Sequence, residues 1–300
     1  MRERARLAAL LGCLALGACG QLPTTAAEPS NAPATPVTVG PCKLPVASSD
    51  APVDGKSGDG ATGKGGFVQF PGATFSPDPA SLGDYDLGFT RWVPVFRAWV
   101  EPNGGRYAWA ENSAVHVQDV AHASDQIVSV PAPSMVVSFE TGAIYVARAI
   151  PGSGAPTQGL GVIDPASGSY RQIVADGVWS AIGGSFAYGQ DQGHVRKLDL
   201  HSGAVSDVGA YQGTTQVLGA TDTAPLVAVT AGGNYTVYAG TTSVFAGAAG
   251  DADPTGPAAV DGSVVWFGSR GGAVWRWGGS GSVARVANVP FAVVIAGGCH

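Results

Sequence analysis

Charge is scarce in this sequence. Lysine, arginine, aspartate and glutamate make up 13% of the 300 residues, 16 basic against 22 acidic, for a net charge of −6. A partner held by phosphate contacts needs a basic face, so no nucleic acid is expected. Long apolar stretches are missing as well. The run from Leu7 to Ala18 covers only twelve residues, whereas a membrane-crossing helix needs about 20. The five histidines, at 116, 122, 194, 201 and 300, are scattered, and none of the four cysteines has a C-x2-C neighbour. No zinc site, no other metal and no cofactor is therefore expected. The acidic pairs Asp84/Asp86 and Asp251/Asp253 supply too few oxygens at fixed offsets for a calcium loop. No Ser, His and Asp arrangement can be assembled from spacing, so no catalytic residue is assigned. Glycine and proline, in contrast, are abundant, at 45 and 21 residues. Such a composition disfavours long helices and suits short strands joined by many turns.

The amino terminus is organised differently from the rest. Met1 to Arg6 hold three arginines, and the apolar run behind them completes the n-region and h-region of a secretory signal. The run ends Leu16-Gly17-Ala18-Cys19, which resembles the lipobox of bacterial lipoproteins. That resemblance implies cleavage after residue 18 and acylation of Cys19, which would anchor the protein to a membrane outside the cytoplasm. Three of the basic residues and one acidic residue precede Cys19, so the remainder carries 13 against 21, a net charge of −8.

Cys13 falls inside the signal and Cys19 would be acylated, which leaves Cys42 and Cys299. Secretion places them where a disulfide persists, and they are expected to pair. A free redox cysteine is the alternative, although neither has a C-x-x-C partner. From Gly20 to Pro41 there are five prolines and no lysine or arginine, a composition that cannot bury a core and reads as an extended tether. The glycine-rich stretch 54–66 contains Gly58-x4-Gly63-Lys64, but Gly65 stands where a phosphate-binding loop needs Ser or Thr. It reads as linker. The expected division is a signal peptide at 1–18, an anchor and linker at 19–66, and a folded domain at 67–300.

Within that domain a pattern repeats. Tyr107, Ile144, Phe186, Leu226 and Val264 sit in five similar apolar strands, at intervals of 37, 42, 40 and 38. A period near 40 suits one four-stranded blade of a β-propeller. Earlier apolar segments, Met135 to Phe139, Trp179 to Ile182 and Gln216 to Ala220, supply a first strand to each repeat. Asp119, Asp164 and Asp199 end later strands, and two of them continue as Asp-x-x-Ser-Gly. An Asp that accepts backbone N–H bonds, followed by a Gly able to take positive φ, builds a hairpin turn. The segment Trp99-Val-Glu-Pro-Asn-Gly-Gly-Arg-Tyr-Ala-Trp109 resembles the TolB-type, WD-like periplasmic propeller repeat, matching it at Pro102, Gly104, Arg106 and Ala108. The resemblance implies the fold and carries no binding site with it.

The fold class expected is all-β, a single propeller of six four-stranded blades. Pro290 to Gly297 would form the inner strand of a blade completed from the N-terminal side by Phe67 to Phe70 and Trp92 to Phe96, with Cys42–Cys299 latching the ring. Trp266, Trp275 and Trp277 crowd one hairpin. They are either packing between blades or an exposed aromatic platform for a sugar or peptide. Two functions follow: a lipid-anchored envelope module that binds a protein, peptide or glycan, or an extracytoplasmic enzyme (a hydrolase, lyase or quinoprotein dehydrogenase) with its site in the central channel. Several titratable side chains meeting at one channel mouth would favour the enzyme.

Overall fold

The computed structural model describes residues 37–50, 55, 64–148, 158–191, 193–250, 253–261 and 263–300. The signal peptide, Cys19, Asp251 and most of the expected tether lie outside them. Among the described residues no helix is long and apolar enough to cross a membrane.

The chain is all-β. Strands β1 (Cys42–Ser48), β2 (Gly65–Phe70) and β3 (Thr74–Pro77) begin it, followed by a small hairpin of β4 (Asp84–Asp86) and β5 (Arg91–Val93). A three-stranded sheet comes next, β6 (Arg106–Glu111), β7 (Ala114–Asp119) and β8 (Ser124–Ser129). Three four-stranded meanders follow: β9 (Ser134–Glu140), β10 (Ala143–Arg148), β11 (Gln158–Asp164) and β12 (Ser169–Val174); β13 (Trp179–Gly183), β14 (Phe186–Asp191), β15 (His194–Asp199) and β16 (Val205–Ala210); β17 (Thr214–Ala220), β18 (Pro225–Ala231), β19 (Asn234–Ala239) and β20 (Thr242–Ala248). The last meander is β21 (Pro254–Asp261), β22 (Val264–Ser269), β23 (Ala273–Trp277) and β24 (Ala284–Asn288), after which β25 (Val293–Ile295) returns to the start and pairs with β1. All pairings are antiparallel.

First strands touch first strands: β9 lies against β13, β13 against β17, β17 against β21 and β21 against β25. They thus surround a common axis, and each sheet buries both faces against its neighbours. Leu44, Val68, Trp266 and Val293 pack between the first and last sheets, and Leu226, Val237, Phe267 and Trp275 between the last and the one before it. Val117 with Ile144, Leu160 with Leu198, and Val195 with Val227 fill the next three contacts. The remaining contact, between the first and the three-stranded sheet, is made through the small hairpin, by Trp92 and Ala296 on one side and Val93, Val100 and Tyr107 on the other. Burial on both faces explains why second strands such as β18 read as continuous apolar runs without alternation. This succession of antiparallel sheets around an axis, closed by strands from both ends of the chain, is a β-propeller.

Three expectations change. The closing sheet takes Phe67 to Phe70 as expected, but not Trp92 to Phe96. Trp92 pairs with Tyr85 in the separate hairpin, and Pro94, which has no N–H to donate, follows where that strand stops. The strand used instead, β1, lies inside the stretch read as linker. It hides there because Pro45, which cannot donate to the ladder, sits mid-strand opposite Phe67 and makes the segment read as loop. Finally, not every sheet has four strands. Before β6 the first strand shrinks to one bridge, Val100 to Tyr107, after a 3-10 turn at Arg97–Trp99.

The turns behave as their sequence implies. The Asp119, Asp164 and Asp199 carboxylates each accept N–H bonds from residues two and three further on, at 2.7 to 3.4 Å. These bonds, with the His122 side chain leading at Asp119, hold all three below the usual carboxylate range. Cys42 and Cys299 are bonded, with Cα atoms 5.6 Å apart and a sequence separation of 257.

Candidate functional site

The first strands of four sheets end at one mouth of the axis, and a cavity of about 410 Å³ opens there. Its walls come from the carboxyl-terminal halves of β9, β13, β17 and β21 and from the 3-10 turn beside Val100. Val100, Val137, Phe139, Ile182, Leu218 and Val260 give it an apolar body. The polar side chains are Arg97, Ser138, Glu140, Ser180, Thr221 and Asp222. They come from four separate sheets and meet because the first strands are gathered around the axis.

Local sequence sets each position. β13 ends in Gly183-Gly184, and a Cβ at Gly183 would stand 2.2 Å from the Thr221 carbonyl oxygen. That glycine lets the next turn come close. Thr221 closes the turn, its hydroxyl donating to the Ala224 oxygen at 3.1 Å, and Asp222 projects from it over Gly184. Glu140 ends β9 and accepts a short bond from the Ser138 hydroxyl. Burial raises the Glu140 carboxyl above its ordinary range; Ser138 opposes the shift, the charge of Asp222 adds to it, and Arg97 lowers it slightly.

Behind the wall stands Asp84. It is completely buried, neither of its oxygens makes a well-formed hydrogen bond, and Arg97 Nη1 is 3.5 Å from Oδ2. Burial dominates and pushes this carboxyl up to about 7, with the Arg97 charge pulling it back. The neighbouring Asp86, equally buried, has a structural task. Its oxygens accept N–H bonds from Gly88, Phe89 and Gly105, at 2.8 to 3.2 Å. Gly104, at φ +72°, passes so close that a Cβ would lie 2.3 Å from Asp86 Oδ1. The Pro-Asn-Gly-Gly turn of the TolB-like segment thus needs its glycine, and Arg106 closes it with two bonds to Glu101 at 2.6 and 2.9 Å.

The residues singled out from sequence fall elsewhere. Trp266, Trp275 and Trp277 are 2%, 9% and 7% exposed, packed between sheets, so they form no surface platform. Period-two alternation sends Trp266 to one neighbouring sheet and Trp275 and Trp277 to the other. Asp253 caps a turn, accepting from the Gly250 N–H at 2.8 Å. Arg97, Glu140 and Asp222 were not found from sequence. Their one signal is that Glu140, Asp222 and Asp261 all stand where a first strand ends. Among the described residues no group of His, Cys, Asp and Glu could hold a metal ion.

No protein-family model matches the sequence, and no curated protein matches it. Among solved structures the chain is similar to TolB from Acinetobacter baumannii, at 10% identity and a TM-score of 0.47, covering 85% of this chain and 67% of that one. It is also similar to an oligogalacturonate lyase in complex with manganese, at 10% identity and a TM-score of 0.46 over 75% and 71% of the two chains. U3-55K gives 12% identity and 0.46, over 66% and 67%.

Proposed function

We propose that this chain is a six-bladed, lipid-anchored propeller outside the cytoplasm and that it recognises a protein, peptide or glycan at the mouth where its first strands end. The count of six takes the closing sheet and the three-stranded sheet with Val100 as blades beside the four meanders. The observation that carries the reading is the cavity itself, apolar in body, with Arg97, Glu140 and Asp222 converging from different sheets. Ligand sites in general combine an apolar hollow with a few convergent polar groups. The lipobox at Cys19 and a disulfide that an oxidising compartment would preserve support the location. Two or three acyl chains on Cys19 make attachment stable where one would not.

A second reading, an enzyme using Glu140 as an acid or base, draws on its raised carboxyl at an open cavity. Recognition is the better fit, because Ser138 holds Glu140 through a bond within the same strand and contributes binding polarity without an activated nucleophile. The test is site-specific photocrosslinking in intact cells. A crosslinker at Val260, in the cavity wall, should capture one defined ligand, and one at Ile127, on an outer strand, should not. Equal capture at both positions, or at neither, refutes the mouth as the recognition face. Replacing Cys19 by Ala should release the protein from the membrane, and unchanged retention refutes the anchor.

A further inference from the structure

The polypeptide enters the ring at the end where the cavity opens. β21 ends at Asp261, next to Val260 of the cavity wall, and a Cβ on Gly298 would stand 3.3 Å from Asp261 Oδ2. The stretch that follows β25 therefore lies at the mouth. β1 is antiparallel to β25, with Ser48 opposite Val293 and Val46 opposite Ile295, so the residues that open β1 sit at that same end. There Lys43 exchanges backbone hydrogen bonds with His300, and Cys42 is bonded to Cys299. Just upstream, Val39 is buried in the cluster that holds Leu44 and Trp266. The far end of the ring is marked by Arg270: β22 begins at Val264, beside Asp261, and runs away from the mouth to Ser269. Residues 20–41 separate Cys19 from Cys42, and a chain of that length has a root-mean-square span of about 25 Å. A folded body of this size has a radius of gyration of about 17 Å. The span is thus shorter than the body is wide, and the end by which the chain enters stays nearer the anchor.

The lining of the mouth favours polypeptide over sugar. Among the described residues that line it, the one aromatic side chain is Phe139, which is 2% exposed, so no ring face is offered to a sugar. Val137, Ile182, Leu218 and Val260 stand beside charges of both signs at Arg97, Glu140 and Asp222, a mixture that suits the side chains and main-chain groups of a peptide segment. We infer that the mouth faces the membrane that holds Cys19 and receives an exposed polypeptide segment of a protein seated in that same membrane. This rests on the acylation of Cys19 and on the mouth being the recognition face.

Two experiments on the full acylated chain test it. In vesicles of phosphatidylethanolamine and phosphatidylglycerol that carry an acceptor dye on the headgroup, a donor dye on Thr223→Cys, in the exposed turn after β17, should transfer energy several-fold more strongly than one on Arg270→Cys. Both positions are exposed. Equal or weaker transfer from position 223 overturns the orientation. In intact cells a benzoylphenylalanine crosslinker at Val260 should capture a polypeptide that stays in the membrane through an alkaline carbonate wash. The yield should fall about ten-fold or more when Cys19→Ala frees the chain, because the anchor no longer sets a local concentration. Capture of a lipid, a glycan or a carbonate-soluble protein overturns the inference. The failures can be told apart. Retention of the Cys19→Ala chain on the membrane removes the anchor, and absence of capture at Val260 by the anchored chain removes the mouth as the recognition face. Equal capture by the anchored and the freed chain leaves both of those standing and removes only the membrane-seated partner.

Discussion

Removing the Cys42–Cys299 bond should cost this protein several kcal/mol, and the position of the bond says why. β25 is three residues long, and it pairs with β1 through Val293, Val294 and Ile295, with one backbone bond on either side, Ser49 N–H to the Ala292 oxygen and Ala296 N–H to the Pro45 oxygen. Past that pairing, Lys43 and His300 exchange two backbone hydrogen bonds, at 2.7 and 3.1 Å, directly beside the disulfide. Ring closure thus depends on a short seam between the two ends of the folded chain. The bond spans 257 residues, and for a loop of that length the chain-entropy relation gives about 5.5 kcal/mol as an upper figure. Residual structure in the unfolded chain reduces this, so about 3 to 5 kcal/mol is expected. For a body of this size each kcal/mol shifts the melting temperature by about 2 to 4 °C, so the loss should be on the order of 10 °C. The assay is thermal and urea unfolding of the Cys42→Ser, Cys299→Ser double variant beside the natural chain, each with and without reductant. Hydrogen exchange should accelerate first at β1 and β25, leaving β13 to β20 protected. A melting temperature within about 2 °C of the oxidised natural chain would refute the reasoning, since the seam would then close unaided.

Three further outcomes follow from the same structure. Asp84 is raised from 3.8 to about 7 with Arg97 and Asp86 as its charged neighbours; the folded state then holds a proton that the unfolded state has released, so its contribution is full below about pH 4 and is lost as pH rises to about 7. The loss is about 4 kcal/mol at most. Asp84→Asn should flatten that slope and raise stability at pH 8 relative to the natural chain, and urea midpoints at pH 5 and pH 8 that move in parallel for both proteins would contradict it. Trp266→Ala empties a site between two sheets and should cost about 3 to 5 kcal/mol by denaturant unfolding while leaving ligand capture at Val260 unchanged. Gly104→Ala meets both a positive φ and Asp86 Oδ1, so a loss of about 1 to 3 kcal/mol is expected, and an unchanged midpoint would show that the turn yields.

The repeat of about 40 residues, the second strands at Tyr107, Ile144, Phe186, Leu226 and Val264, and the aspartate turns were legible in the sequence because each depends on local patterning. So was the cysteine pairing, which needed only that Cys42 and Cys299 be the two thiols left over. β1 was not legible, because Pro45 and the proline-rich stretch before it look like loop, and only pairing to β25 and β2 on either side makes the segment a strand. The aromatic hairpin was legible as residues and not as exposure: whether Trp275 is wall or platform depends on a neighbouring sheet, here supplied by residues such as Leu226 and Phe245. Local pattern alone was enough for the class of fold and for the turns. The mouth came from the tertiary structure, because the repeat that spaces Glu140 and Asp222 does not say which strand ends open onto one hollow or that Arg97 joins them there. Charges so far apart along the chain become neighbours only when first strands are gathered around one axis, and burial there raises the Glu140 carboxyl.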